Sequence, residues 1–183
     1  MSDQTPDAPR NVNIWAPWRM EYINALSGPD DGCFLCRQRD EPEKDAENLV
    51  LWRGRLAFAV MNRFPYTGGH FLVAPYEHAG EMDKLPPETL LEMMELTRDL
   101  QTLLSDCIHA QGYNIGINIG RCAGAGLPGH LHIHVVPRWS GDTNFMAVLG
   151  DVRVIPTALS SLYDDLRQAS ERLGLPRTGE RTS

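Results

Sequence analysis

No run of apolar residues in the sequence approaches the length of a membrane span, and the opening residues MSDQTPDAPRNVN lack the basic-then-apolar layout of a secretory leader. Both absences lead to the expectation of a cytoplasmic protein that neither crosses nor binds a membrane. Positive charge is also short. Lys and Arg number 17 against 24 Asp and Glu, a formal net charge of −7, which argues against a broad phosphate-neutralising surface and so against nucleic acid as a partner. A small anionic substrate stays admissible, because a few loop amides can hold one against a mildly acidic field. Internal repeats are absent. Cysteine is sparse: Cys33, Cys36, Cys107 and Cys122 are the four. In a cytoplasmic chain the close pair Cys33/Cys36 points to metal or thiol chemistry before a structural disulfide.

A chain of 183 residues is long enough to bury one core without cross-links. Residues 1–13 are polar, carry two prolines and read as a disordered arm. Residues 14–175 read as a single domain and 176–183 as a flexible tail. The aromatic-rich segment Trp15-Ala16-Pro17-Trp18 is expected to dock onto the body, and the charged stretch 37–47 to be an exposed connection. Apolar runs at 49–52, 56–61 and 70–74 read as strands, with Arg53-Gly54-Arg55 as a turn between the first two. Pro86-Pro87-Glu88 opens a helix that runs to about residue 110, its buried face traced by Leu90, Met94, Thr97, Leu100 or Gln101, and Leu104. Strands at 113–119 and 130–136 follow, joined by a glycine-rich loop, and a helix over 156–173 closes the domain. The order implies an α+β fold: an antiparallel sheet with the long helix packed on one face and a C-terminal helix.

The segment His130-Leu131-His132-Ile133-His134 alternates. Read as a strand, it turns His130, His132 and His134 to one face and Leu131, Ile133 and Val135 to the core. Three aligned imidazoles suit metal ligation or catalysis, and would be costly if buried without partners. The loop ahead, from Asn118 through Gly120, Gly124, Ala125 and Gly126 to Gly129, has the glycines that let backbone amides turn toward an anion. It is neither a Walker loop, lacking Gly-Lys-Ser/Thr, nor a dinucleotide fingerprint, since a strand follows it. Beside the histidines it suggests a phosphate held over an imidazole.

These residues resemble the histidine triad (HIT) superfamily: His130-Leu131-His132-Ile133-His134-Val135-Val136 matches its motif of histidines alternating with apolar residues. Asn62-Arg63-Phe64-Pro65 and Gly69-His70-Phe71-Leu72-Val73 are similar to its nucleoside-binding half. The wider pattern is most similar to bacterial diadenosine tetraphosphate phosphorylase-like members. It includes Trp15-Ala16-Pro17-Trp18-Arg19-Met20 and Pro137-Arg138-Trp139 to Asn144-Phe145-Met146. The resemblance implies a HIT-like fold, a nucleotide or dinucleotide substrate, and His132 as nucleophile on the α-phosphorus, forming a nucleotidyl-histidine that water or inorganic phosphate then resolves. It implies His134 at the phosphate and leaving-group oxygens, Asn118 and the loop amides on the phosphates, Asn62 on the ribose and His70 as an orienter of the triad. Arg121, Arg138 and Arg19, with Asn144, are the candidates to hold an acceptor phosphate; the alternative is that these arginines solvate the loop or pair with Asp142. Many hydrolytic members carry Gln and Ser or Thr where this chain has Gly126 and Leu127; losing those side chains is expected to widen an amide-lined phosphate pocket and leaves room for phosphate as acceptor. The resemblance further implies a homodimer, no organic cofactor, and a closed structural zinc site of Cys33, Cys36, His78 and His130. Read on its own, Cys33-Phe34-Leu35-Cys36 is not expected to follow a strand and open a helix, which argues against a redox pair. Alternatives to phosphorolysis are a hydrolase of dinucleoside polyphosphates or nucleoside phosphoramidates, and a nucleotide-binding module without turnover.

Overall fold

A computed structural model describes residues 32–142 and 158–177. The expectations placed on the N-terminal arm, on Trp15–Trp18 and Arg19, on Asn144 and on most of the tail lie outside the described residues. Two short helices come first, α1 (Phe34–Asp40) and α2 (Asp45–Asn48), with a single 3-10 turn between them. The stretch expected to be a plain connection is therefore helical. Its charges conceal the buried Gln38, and Leu35, just ahead of the stretch on the same helix, is buried too. Arg53 holds this helical pair: it forks onto Asp45 and donates to the α1 carbonyls of Gln38 (2.6 Å) and Arg39 (3.1 Å). Cys33 is the N-cap of α1 and Cys36 lies in its first turn, so the cysteine pair does open a helix, contrary to the sequence expectation.

Five strands follow in one antiparallel sheet: β1 (Val50–Arg53), β2 (Ala57–Met61), β3 (Phe71–Pro75), β4 (Gly112–Ile117) and β5 (Ile133–Arg138), ordered β1-β2-β3-β5-β4. The long helix α3 (Pro87–Ile108) lies across β2, β3 and β5, and α4 (Leu159–Leu173) packs on α3 and β1. Proline in the first turn and the left-handed His109 (φ 53°) bound α3. Of the expected buried face, Thr97, Leu100 and Leu104 are buried and Leu90 packs against the core, while Met94 is 55% exposed. Thr89, Met93, Leu96 and Leu103 also face inward, because the helix is gripped by both the sheet and α4 and its buried arc is wider than a single stripe.

Two apolar clusters sandwich the sheet. The larger joins α3, α4 and one sheet face through Phe71, Val73, Leu131, Ile133 and Val135. The smaller, on the other face, joins Leu35 of α1 to Val50, Phe58, Val60, Leu72 and Ala74. It covers β1, β2 and β3 only. At the far side β4 is a sheet edge with exposed Ile115.

The strand expected at 130–136 begins later, at Ile133. Its register, Val73 with Ile133 and Leu72 with His134, would next set Leu131 against Pro75, which has no N–H to offer a ladder. The amide of Leu131 donates instead to Ala79 O (2.7 Å). His130, Leu131 and His132 thus run beside the sheet without joining it.

Candidate active site and metal cluster

Hydrogen bonds to carbonyls and amides, whose donor or acceptor role is fixed, determine how each imidazole is protonated. The Nδ1 of His132 lies 2.8 Å from the carbonyl of His130. A carbonyl only accepts, so Nδ1 carries the proton and Nε2 keeps its lone pair, with no hydrogen-bond partner among the described residues. Burial lowers the His132 pKa, partly offset by that carbonyl bond, and the ring is neutral at neutral pH.

His134 meets His132 edge-on, with centroids 4.9 Å apart. Its Nδ1 faces His70 Nε2 at 3.0 Å. His70 is fully buried, and its Nδ1 accepts from the backbone N–H of Tyr66 (3.2 Å) and from the Asn62 amide (3.3 Å). The His70 proton therefore sits on Nε2 and is donated to His134. A neutral His134 then carries its own proton on Nε2. The Tyr66 ring stacks on His70 (4.8 Å, 24°) and lies 6.1 Å from His134. Tyr66 was not among the residues expected at the site. An aromatic ring four residues before a motif histidine is the one signal it carried. Gly69, at φ 80°, makes the turn into His70. A Cβ there would stand 2.8 Å from Ile108 Cδ1, so the end of α3 fixes this corner.

Asn62 also accepts the Phe64 amide on its Oδ1 (3.0 Å). One amide hydrogen and one lone pair remain for a ligand. Asn118 is half-buried just past β4. It follows directly on the Ile117–Ile133 pair with which the β4–β5 ladder ends. In the glycine loop the amides of Ala123, Gly124 and Ala125 donate to carbonyls within the loop itself, at Gly120 and Arg121. Gly124 and Ala125 therefore do not offer the amides expected of a phosphate cradle, because the chain closes a 3-10 turn there. The Gly126 amide donates to no described group. Leu127, expected to widen the phosphate pocket, packs against the small cluster with Cys33, Phe34 and Tyr76. Arg138 is not brought to the histidines. It ends β5, roughly 13 Å along the strand from His134, forks onto Asp142 (2.5 and 2.8 Å) and donates to Asn114 (2.7 Å). The expected phosphate contact is replaced by this internal pair, which the local spacing of four residues favours.

The third histidine turns elsewhere. His130, fully buried, donates Nε2–H to the Pro75 carbonyl (2.9 Å), so its Nδ1 lone pair faces Cys33 Sγ (3.1 Å) and Cys36 Sγ (3.5 Å). Cys36 Sγ lies 3.1 Å from His78 Nδ1. The four ligand atoms lie within 4.8 Å of one another. Ligand–ligand edges of a tetrahedral zinc site are about 3.3–3.8 Å, given Zn–S of about 2.3 Å and Zn–N of about 2.0 Å, and the donor set fits with small adjustments. Burial pushes the Cys33 thiol up to about 11 and His130 down to about 4. Each group thus disfavours its own charged form, and a cation among the sulfurs would reverse that preference for the thiols.

A model of the HIT domain family matches residues 43–141. The AP-4-A phosphorylase of Mycobacterium tuberculosis is 37% identical over 151 residues, covering 80% of this chain and 77% of that protein. The asymmetrical bis(5'-nucleosyl)-tetraphosphatase of Schizosaccharomyces pombe is 29% identical over 142 residues, 72% of this chain and 78% of that protein. Among solved structures, a zinc-bound histidine triad family protein from Mycobacterium smegmatis matches with a TM-score of 0.64 and 29% identity, covering 78% of this chain and 96% of that one.

Proposed function

The chain belongs to the HIT domain family, and within it we propose an enzyme that transfers a nucleotidyl group from a dinucleoside polyphosphate through His132, with diadenosine tetraphosphate and inorganic phosphate giving ADP and ATP. The observation that carries this reading is the state of His132. A neutral imidazole has its proton pinned on Nδ1 by the His130 carbonyl, and its Nε2 lone pair is uncommitted among the described residues. That is the form a nucleophile needs. In the first step Nε2 attacks the α-phosphorus, the bond to the bridging oxygen breaks, and ATP leaves. The imidazolium formed keeps Nδ1–H on the His130 carbonyl, which accommodates the new positive charge. His134, its proton placed on Nε2 through His70, stabilises the charge gathering on the phosphate and leaving-group oxygens. In the second step a phosphate oxygen attacks the α-phosphorus, ADP departs, and Nε2 recovers its lone pair. Asn62 serves the ribose hydroxyls. Asn118, Gly120 and the Gly126 amide serve the phosphates.

The 37% identity to an AP-4-A phosphorylase supports phosphate as the acceptor. Water in its place would make the chain a hydrolase, a reading that the likeness to a tetraphosphatase keeps open. Incubation with diadenosine tetraphosphate, with and without millimolar phosphate, decides between them: ADP with ATP is the expected pair, and AMP with ATP in both conditions would overturn phosphorolysis.

Zinc on Cys33, Cys36, His78 and His130 completes the proposal, as a closed structural site that ties α1 to the nucleophile segment and leaves no position for water. Among the described residues no helix is long and apolar enough to cross a membrane, and a cytoplasmic setting accords with four free thiols. A homodimer through the β4 edge would cover Ile115 and Ile119, which are 42% and 41% exposed.

A further inference from the structure

We propose that the Cys33/Cys36 pair is a thiol-redox switch on the nucleophile, acting through the two ends of His130. The inference rests on reading the cluster as a zinc site and His132 as the nucleophile. It starts from one residue with two engagements. The His130 ring presents Nδ1 to the two sulfurs, while its backbone carbonyl holds the Nδ1 proton of His132. Among the described residues, two further bonds hold His130: Nε2–H to Pro75 and a long amide bond to Leu127 O at 3.4 Å. Because pairing with β3 begins at Ile133, no sheet ladder fixes its carbonyl.

A second connection runs the same way. His78 precedes Ala79, whose carbonyl accepts the Leu131 amide, and a Cβ on Gly129 would stand 3.4 Å from His78 Nε2. Both histidines of the cluster are thus continuous with the segment that delivers His132.

The cluster is reachable. Cys33 and Cys36 are half-buried and His78 is exposed, so a small oxidant has access. Leu35, between the cysteines, is fully buried in the small core, so the two sulfurs cannot drift apart when the metal goes. The chemistry needs a peroxide. One zinc-bound thiolate attacks the peroxide oxygen, the O–O bond breaks, and a sulfenic acid and water form. The second thiolate attacks that sulfur, the S–S bond forms, and hydroxide leaves as water. Two thiolates lose two electrons, hydrogen peroxide takes them with two protons to give two waters, and Zn2+ is released. His78 and His130 lose their common ligand at the same moment. The fully buried His130 ring keeps an Nδ1 lone pair with neither thiol donor nor cation, and repacks. Its carbonyl lies in a segment that no ladder bond fixes, so it shifts as the ring repacks and the bond that fixes the His132 proton is weakened.

The test uses the full chain carrying Cys107→Ser and Cys122→Ser, whose own activity is measured first, so that only the cluster thiols react. Stoichiometric hydrogen peroxide is added, and four quantities are followed: zinc release with a chelating dye, thiol content, melting, and single-turnover labelling of the protein from radiolabelled diadenosine tetraphosphate. One zinc released, two thiols lost and labelling slowed about tenfold or more at the same dose, with melting still cooperative and recovery on adding a dithiol and zinc, is the expected result. Zinc removal by a chelator in reducing buffer should slow labelling less, because a cysteine thiol still faces His130 Nδ1; slowing as deep as that by peroxide would assign the effect to the metal alone and overturn the thiol switch. Zinc and thiols lost with labelling within about twofold of its starting rate overturns the switch and leaves the metal reading intact. Labelling lost while zinc is retained overturns it as well. Protein purified without zinc overturns the metal reading and the switch together.

Discussion

The two halves of the sheet are built on different terms. Over β1, β2 and β3 both faces are covered, by α3 and α4 on one side and by α1 and its small cluster on the other. Among the described residues, the large cluster covers one face of β5 and β4 and neither apolar cluster covers the other, where Val136 is nonetheless buried; β4 shows a burial pattern with no fully buried residue. His70 belongs to the covered half and His134 to the open one, and their 3.0 Å contact joins the two. What the enzyme must hold still, the protonation of its imidazoles, hangs on fixed groups of the covered half: the Tyr66 amide, Asn62 and the Pro75 carbonyl. What it must leave accessible lies over the open half.

This contrast can be broken at several points, and the largest effect is expected where the halves meet. His132→Ala should cut turnover by about 10⁴-fold or more with an unchanged melting curve; near wild-type rates from the folded variant would remove it as the nucleophile. Within the covered half, Leu35→Ala should cost about 2–5 kcal/mol of stability, read from denaturant midpoints. It should also loosen zinc, since α1 carries two of the four ligands. An unchanged midpoint would mean that α1 is not part of the folded unit. His70→Ala removes the donor to His134, and kcat is expected to fall about 10²-fold with little change in KM. A pure KM effect would instead make His70 a binding residue. The smallest effect belongs to the open half. Arg138→Ala breaks only the pair with Asp142 and Asn114, so turnover should stay within about tenfold; a steep loss that is relieved by raising phosphate would restore Arg138 to the phosphate site.

Much of this was legible in the residues. The apolar runs located β1 to β4 to within a residue or two, and β2 and β3 most clearly, because they are buried on both faces and leave uninterrupted Ala, Phe, Val and Leu. Pro86-Pro87-Glu88 marked the start of α3. The motif histidines, the C-x-x-C pair and His78 were all named as site residues, and the four proposed ligands do converge. What escaped was set by partners far away in the chain. α1 and α2 hide behind charges that are ordered by Arg53. The late start of β5 follows from Pro75, which lies opposite only in three dimensions. Of the two readings open for Arg138, phosphate or Asp142, the structure shows the pair with Asp142. The bond between His70 and His134 spans 64 positions. Glu92 shows the same limit. It is a buried carboxylate on α3 that accepts the amides of Leu56 (2.7 Å) and Ala57 (3.2 Å) and so closes the β1–β2 turn, and no periodicity announces such a role.

The halt of the ladder at Pro75 has a consequence in time as well as in space. Amides inside β3 and β5 are held by the whole sheet and should exchange with deuterium only when the sheet opens. The Leu131 amide is held by the single carbonyl of Ala79, beside a cluster ligand, and its exchange should follow openings of that small region alone. A proton on Leu131 that exchanges orders of magnitude faster than that of Val135, and slows when zinc is added, would measure how often the segment carrying His132 lets go.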